Sequence, residues 1–175
     1  MVSTTAVAVA APLAQAAATP VAQSPVQPFT QVVRDPVKYQ AYLEAARAIG
    51  PIHDSARLHA LCRGQMEREN KEVFYVLCVD MHLHVVHFEE LARGSKSSVG
   101  IEVEDIWQLL ALTRPHAFAV AHCHPSGNAR PSRADRSMTR EIRKSAKRLF
   151  PNTPMLDHIV VGQREYYSFV DNNWE

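Results

Sequence analysis

The hydrophobic pattern over most of the chain predicts strands that alternate with helices. Five short segments are mostly apolar and rich in β-branched and aromatic residues, which is typical of strands. They cover residues 73–80, 83–91, 116–121, 155–162 and 165–170. The first two are expected to pair as one hairpin and the last two as another. Apolar residues at helical spacing predict helices over 103–113 and 132–149. This order of elements predicts an α/β or α+β sandwich layered on one central sheet.

Two further helices are predicted ahead of the first strand. Asp35-Pro36 is typical of an N-cap followed by proline at the first helical position, and Gly50-Pro51 is expected to end that helix. A second helix is expected from about His53 to Arg68. Residues 34–51 are therefore expected to form an N-terminal helical segment ahead of one globular domain.

The first 33 residues differ in composition from the rest. They contain no charged side chain and are rich in alanine, proline, valine, threonine and glutamine, so they are expected to be a disordered leader. A secretory signal is the alternative, because AVAVAAPLAQA has a short apolar core, but no lysine or arginine precedes it. No apolar run approaches the roughly 20 residues that span a membrane. The sequence therefore predicts a soluble, cytoplasmic protein.

Charge and cysteine content narrow the function classes only a little. The formal net charge of +1 is too small to indicate a polyanionic partner by itself. The cysteines, Cys62, Cys78 and Cys123, are odd in number and form no C-x-x-C pair, which argues against a disulfide framework and a cysteine zinc site. The chemistry must therefore be sought in a local motif.

The most informative motif is AHCHPSGNARPSRAD, residues 121–135. Successive side chains of an extended segment alternate in direction, so His122 and His124 face one way and Cys123 faces the other. The amphipathic helix that follows carries Asp135 in its first turn, on the apolar side, where a carboxylate must be paired or coordinated. Two imidazoles and a carboxylate are the ligands of a zinc site that leaves its fourth position to water. Because zinc lowers the pKa of that water to about 7, the motif predicts a zinc hydrolase.

Two candidate residues also have simpler interpretations. Ser132-x-x-Asp135 fits a capping box, in which the hydroxyl and the carboxylate satisfy backbone N–H groups at the start of the helix. The His-x-His pair upstream of Asp135 favours the ligand interpretation. Glu72 immediately precedes the apolar strand VFYVLCVD, where a general base would sit, but a solvated strand end gives the same pattern.

Together these residues resemble the JAMM (MPN+/JAB) metalloprotease signature, E-xn-H-x-H-x7-S-x2-D, and HPSG, PS-x2-D and LDHIVVG resemble its bacterial RadC branch. The resemblance runs from about Ile52 to Phe169. It implies that residues 52–175 form a RadC-like JAB/MPN metalloprotease domain, a cytidine-deaminase-like three-layer sandwich with a central mixed sheet. The site residues that it implies are zinc ligands at His122, His124 and Asp135, a general base at Glu72 and an oxyanion donor at Ser132.

This sequence departs from the RadC pattern at two places. Cys123 replaces the asparagine of the usual HNHPSG and is expected to be a packing residue, and IEVEDIW replaces a basic stretch before the central helix. Neither change removes a ligand, but both leave the identity of the substrate undetermined. The resemblance also places Asp157 and His158 near the site, where Asp157 is expected to be the acceptor that orients a ligating histidine. Residues 35–53 are too short for the helix-hairpin-helix region that RadC relatives often carry.

The helix over 132–149 has a basic outer face. Its cations are Arg133, Arg136, Arg140, Arg143, Lys144 and Lys147. They could track the phosphates of a nucleic acid along the basic helix 133–148, although a solvated face gives the same pattern and no aromatic platform for bases is evident. The sequence therefore predicts a zinc-dependent metallopeptidase or isopeptidase of unspecified peptide substrate. A DNA-repair or DNA-processing accessory protein is the alternative, and a purely structural metal is a third interpretation.

Overall fold

A computed structural model describes residues 36–94 and 102–174 of the chain. The helices within these residues are α1 (Pro36–Ile49), α2 (Ser55–Met66), α3 (Val103–Thr113) and α4 (Arg133–Leu149). The strands are β1 (Val73–Val79), β2 (Val85–Arg93), β3 (Ala117–Cys123), β4 (Met155–Val161) and β5 (Tyr166–Ser168). The leader predicted for residues 1–33 and the predicted N-cap Asp35 lie outside the described residues.

The strands form one mixed sheet in the order β2-β1-β3-β4-β5. β1 pairs antiparallel with β2 and β3, and β4 pairs antiparallel with β5, so both predicted hairpins are confirmed. β3 and β4 are parallel, and α4 supplies the crossover between them. Because a crossover helix starts at the edge of the sheet where the preceding strand ends, the last residues of β3 lie beside the first turn of α4.

The β1–β2 turn is longer than the hydrophobic pattern predicts, and β2 begins at Val85 rather than Leu83. The carboxylate of Asp80 accepts the backbone N–H groups of His82 and His84 at 2.8 and 3.0 Å. These bonds close the turn in place of strand pairing and leave Leu83 in the left-handed region, with a φ of 64°. A short polar side chain at the turn therefore overrides the β propensity that follows it.

The sheet lies between two helical layers. One face packs against α1 and α2 through apolar side chains that include Tyr42, Leu58, Tyr75, Leu77, Ala119, Ala121, Ile159 and Val161. The opposite face packs against α3 and α4 and buries Val76, Phe118, Val120, Val160, Ile106, Leu109 and Ile142. The fold is thus a mixed α/β sandwich of three layers around a mixed sheet, which confirms the predicted fold class.

All three cysteines are buried and unpaired. Burial raises the pKa of the Cys62 thiol furthest and raises that of Cys123 to about 11. In the part of the chain that the structure describes, no helix combines the length and apolarity needed to cross a bilayer.

Candidate metal centre

The predicted ligands meet where β3 ends and α4 begins. β3 runs to Cys123, two residues beyond its predicted end, so His122 lies within the strand. The side chains of His122 and His124 point to the same side, and Asp135 in the first turn of α4 lies against both rings. Cys123 faces the opposite layer, where its thiol donates to the carbonyl oxygen of Lys71 at 3.4 Å. The alternation predicted for the three residues is therefore confirmed.

The distances between the ligand atoms fit one bound metal ion. Nε2 of His122 and Nε2 of His124 are 3.1 Å apart, and each lies 3.3 Å from an oxygen of the Asp135 carboxylate. Tetrahedral zinc with metal–ligand bonds of 2.0–2.1 Å requires ligand atoms about 3.3 Å apart. Among the described residues, these side chains are the one group of three potential ligands that converges in this way. Imidazole and carboxylate donors suit zinc and other first-row divalent metals.

The protein holds the second ring nitrogen of each histidine. Nδ1 of His124 lies 2.8 Å from the carbonyl oxygen of Asn128. A carbonyl can only accept, so Nδ1 carries a proton, and in the neutral ring Nε2 has the lone pair, which is directed at the centre. Nδ1 of His122 lies 2.7 Å from Nε2 of His158. Partners of this kind fix the orientation of metal-ligating histidines, so the rings are arranged before a cation arrives.

Asp135 serves the helix and the centre at once, so the capping box and the ligand cluster are not alternatives. The backbone N–H of Ser132 donates to Oδ2 of Asp135 at 2.6 Å, and the backbone N–H of Asp135 donates to the Ser132 hydroxyl at 3.1 Å. Burial by itself would raise the pKa of Asp135, but its contacts with the imidazoles of His122 and His124 and the hydrogen bond from Ser132 outweigh burial and hold the pKa well below its usual range. The same contact raises the pKa of His124. A negative charge is therefore fixed between the two rings.

Glu72 lies at the mouth of β1, directly before Val73, and is half-buried. β1 and β3 are paired so that Phe74 stands opposite His122, which brings Glu72 to the edge of the sheet that carries the ligands. Its charge contributes to the raised pKa of His124. The carboxylate is thus near enough to affect the charge of His124 but is not part of the converging group.

The sequence profile of the RadC-like JAB domain family matches residues 52–174. The chain belongs to this family. A UPF0758 protein of Shewanella baltica strain OS185 is 34% identical over 151 residues, which cover 79% of this chain and 66% of that relative. A UPF0758 protein of Shewanella amazonensis is 35% identical over 150 residues with the same coverage. The chain therefore spans 66% of the length of these relatives, and the resemblance stated from the motif is confirmed.

In this RadC-like JAB domain, the β4–β5 turn supports the loop that carries His124. The backbone N–H of His124 donates to the Val161 carbonyl, and that of Gln163 donates to the Gly127 carbonyl, both at 3.0 Å. A Cβ atom at Gly162 would lie 2.4 Å from the carbonyl oxygen of Gly127, so no larger residue fits there. Gly127 itself has a φ of +81°, which favours glycine. HPSG and the glycine of LDHIVVG therefore form one structural unit that positions His124.

The prediction that Asp157 orients a ligating histidine is wrong. Its carboxylate accepts the backbone N–H groups of His158 and Val170 at 2.7 and 3.1 Å, and the hydroxyl of Ser168 at 2.6 Å. These contacts tie β4 to the end of β5 and to the residues that follow it. The residue of this motif that contacts a ligand is His158, through His122.

A buried polar residue of α4 was also missed in the sequence analysis. Thr139 is fully buried, and its hydroxyl lies 2.7 Å from Nδ1 of His158. It follows Asp135 by four residues, so the two side chains lie on the same face of the helix one turn apart. A polar residue one turn from a predicted ligand, on the inner face, is the signal that could have identified it.

The basic face of α4 is partly used within this domain. The guanidinium of Arg136 lies 5.9 Å from the ring centre of Tyr167, and that of Arg140 lies 5.4 Å from the ring of Trp174. Arg143 donates to the Trp174 carbonyl at 2.6 Å. The other cations of this face have no such partner in residues 36–94 and 102–174: Arg133, Lys144 and Lys147. The fold thus brings two aromatic rings to a face that looked purely basic in the sequence.

Proposed function

We propose that this RadC-like JAB domain is a zinc-dependent hydrolase of amide bonds, a metallopeptidase or isopeptidase of the JAMM type. The observation that carries the proposal is the convergence of two imidazole nitrogens, 3.1 Å apart, on one carboxylate, each nitrogen lying 3.3 Å from one of its oxygens. Glu72 lies at the same edge of the sheet and contributes to the raised pKa of His124. Three protein ligands leave one position for water or substrate, as in catalytic rather than structural zinc sites.

The chain's own residues would divide the work of hydrolysis. Bound zinc would supply Lewis-acid chemistry, polarising a carbonyl and lowering the pKa of water. Glu72 would accept a proton from the attacking water and deliver it to the leaving amine. The Ser132 hydroxyl accepts the Asp135 N–H, which leaves its own hydrogen to donate to the substrate oxygen as negative charge develops. His122 and His124 would keep their lone pairs on the metal because Nδ1 of each ring is held from outside the centre.

The Glu72→Gln variant tests this proposal. It removes the base without changing the size of the side chain, so we expect one equivalent of zinc to remain bound while hydrolysis falls about 10²–10⁴-fold. Hydrolysis is measured on a fluorogenic peptide library and a lysine-linked isopeptide, and zinc by elemental analysis. Glu44→Gln, on the exposed face of α1, removes the same charge far from the site and is the control. Loss of zinc together with activity in Glu72→Gln would make Glu72 a ligand and refute its role as base.

Nucleic-acid binding is a second candidate function, favoured by the rings of Tyr167 and Trp174 beside Arg136 and Arg140. Arginines interleaved with aromatic rings can hold phosphates and stack bases. A DNA-processing accessory would use this face next to the metal centre.

The cations of α4 without a partner among the described residues give the sharper test of this second candidate. If the face binds DNA, the Arg133→Glu/Lys147→Glu variant should weaken the complex and lower the salt slope by about 0.9 for each phosphate that the protein no longer neutralises. The Arg47→Glu/Arg68→Glu variant changes the same charge on α1 and beyond α2 and should bind as the wild type does. Equal effects of the two variants would show non-specific attraction and reject the candidate.

A further inference from the structure

A chain of buried hydrogen bonds joins the two sides of the metal centre behind the ligands. The Thr139 hydroxyl lies 2.5 Å from the backbone carbonyl oxygen of Asp135 and 2.7 Å from Nδ1 of His158. Nε2 of His158 lies 2.7 Å from Nδ1 of His122. Thr139 and His158 are fully buried, and His122 is 3% exposed. This series of hydrogen bonds begins at the backbone of Asp135 and ends at the ring of His122.

Which atom donates in each of these hydrogen bonds follows from the number of hydrogens that Thr139 and the two imidazole rings carry. A backbone carbonyl can only accept, so the Thr139 hydroxyl must donate its single hydrogen to the carbonyl oxygen of Asp135. Thr139 is then an acceptor toward His158, and Nδ1 of His158 must carry a proton. The neutral ring therefore has a lone pair on Nε2, which accepts the Nδ1–H of His122. Neutral His122 is left with its lone pair on Nε2, the atom that faces His124 and Asp135.

We infer that Thr139 and His158 are positioning residues that set the tautomer of His122 and thereby make it a metal ligand. This inference rests on the metal centre of the proposed function but needs no hydrolysis. The opposite direction would place the His122 proton on Nε2, inside the centre, where it would have to be displaced before a metal could bind. Thr139 excludes that direction, because its hydroxyl has no second hydrogen to offer.

Packing alone does not explain a histidine at position 158. Its ring stacks on Phe169 with a centroid distance of 4.9 Å and stands edge-on to Phe74 at 6.0 Å. An apolar side chain of similar size would fill this aromatic slot without two buried nitrogens that each need a partner. The slot instead holds the ring in the orientation that connects Thr139 with His122. The parallel register of β3 and β4 places His158 opposite Val120, so its ring reaches the neighbouring inward side chain, His122.

Thr139→Val tests the inference, with Thr139→Ser as the matched variant that keeps the hydroxyl. Valine has the shape of threonine but removes the group that directs the chain, so His158 and His122 should populate both tautomers. Ring ¹⁵N NMR spectra of the zinc-free protein, at mildly alkaline pH where imidazoles are neutral, report the protonated nitrogen of His122 directly. Zinc affinity, measured by competition with a chromophoric chelator, should fall about 10–100-fold in Thr139→Val, as for other groups that support ligands. Thr139→Ser should restore both the NMR signature and most of the affinity.

His158→Gln and His158→Leu provide a second pair. The glutamine carbonyl oxygen can accept the Nδ1–H of His122, whereas leucine offers no acceptor, so zinc affinity should be lower in His158→Leu than in His158→Gln. Unchanged His122 signals and unchanged zinc affinity in Thr139→Val would overturn the inference, as would equal affinities in the two His158 variants. A lower thermal stability without these changes would show a purely structural role. If zinc and the tautomers behave as expected but no amide is hydrolysed, the proposed function fails while this inference stands.

Discussion

The two faces of the central sheet are built by the same strands and yet carry different kinds of side chain. The face toward α1 and α2 packs mainly through apolar groups, of which Ile159 is fully buried. A buried carboxylate on this face, Asp157, binds Ser168 and not a ligand. The face toward α3 and α4 combines apolar groups with buried polar ones, including His122 and His158. Because strand residues alternate between faces, His158 and Ile159 are neighbours in sequence that lie in opposite environments.

Because of this difference, one face mainly stabilises the fold and the other mainly supports the metal centre. Apolar burial is non-directional and stabilises the fold wherever it occurs, whereas a buried polar atom costs free energy unless it has a partner. Burial lowers the pKa of His158 well below that of an ordinary histidine, which keeps its ring neutral. Substitutions on the apolar face should therefore change the free energy of unfolding, and substitutions on the polar face should change the metal affinity.

The largest expected effect follows from removing a ligand on the polar face. His124→Ala should lose zinc from the purified protein, a greater loss than the roughly 10–100-fold effect of a supporting group. The zinc-free protein should keep its fold, because the His124 side chain is at the rim of the site and its loop stays anchored through backbone bonds. Elemental analysis and thermal unfolding with and without a chelator measure the two quantities. The same zinc content in wild type and His124→Ala would reject the assigned ligand.

The next largest effect belongs to the apolar face. Ile159→Ala leaves a cavity between the sheet and α2, and we expect it to lower the free energy of unfolding by about 2–5 kcal/mol. The folded protein should bind zinc with the wild-type affinity, because Ile159 points away from the centre. Urea unfolding of the zinc-free protein and chelator competition give the two values. A loss of zinc affinity in the folded state would show that the two faces are coupled and not separate.

The pH dependence of metal binding gives a smaller effect on the polar face. The hydrogen bond to Asp135 raises the pKa of His124, so a proton competes with zinc at pH values where an ordinary histidine is already neutral. Zinc affinity should rise with pH up to this pKa, about tenfold per pH unit for one displaced proton, and then level off. For the zinc-free protein the sign is opposite: the protonated ring stabilises the fold at low pH, and this contribution is lost as the pH rises through the pKa of His124.

Calorimetry in buffers of different ionisation enthalpy counts the protons that zinc releases. Release should be greatest below the raised pKa and should vanish well above it. A zinc affinity that does not change with pH across this range would contradict a protonated His124 in the zinc-free protein.

Local signals were sufficient for much of the fold and for the three converging side chains. Gly50-Pro51 marks the end of α1, and the bounds of α1 and α3 agree with the predicted helices within one or two residues. The spacing of His122, His124 and Asp135 needs only the strand and helix periods, because β3 and α4 are consecutive elements. These features follow from residues that are close together in the sequence.

The other features of the site depend on contacts between segments that are distant in the sequence, and local periodicity carries no information on such contacts. His158 meets His122 only because β3 and β4 are adjacent and parallel in one particular register. The same limit explains why Asp157 was the wrong neighbour: it alternates to the other side of β4 and binds Ser168 in β5 and Val170 just after it. Trp174 likewise reaches Arg140 through the path of the chain after β5.

The smallest expected effect concerns two tyrosines that flank Phe88 on the apolar face. Tyr42 stacks on Phe88 at 3.4 Å and Tyr75 at 4.3 Å, but only the Tyr75 hydroxyl has a partner, Glu90, to which it donates at 3.0 Å. Among the described residues, the Tyr42 hydroxyl is the one buried side-chain polar atom without a hydrogen bond.

Phenylalanine at these two positions should therefore have effects of opposite sign. Tyr42→Phe removes an unsatisfied hydroxyl and should stabilise the zinc-free protein by up to about 1 kcal/mol, whereas Tyr75→Phe removes a bond to a carboxylate and should destabilise it by about 1–3 kcal/mol. Both variants leave the stack on Phe88 intact, so packing cancels in the comparison. Urea unfolding of the two variants and the wild type decides the matter. If Tyr42→Phe destabilised the protein as much as Tyr75→Phe, the Tyr42 hydroxyl would have a partner in solution, and the two hydroxyls would contribute alike.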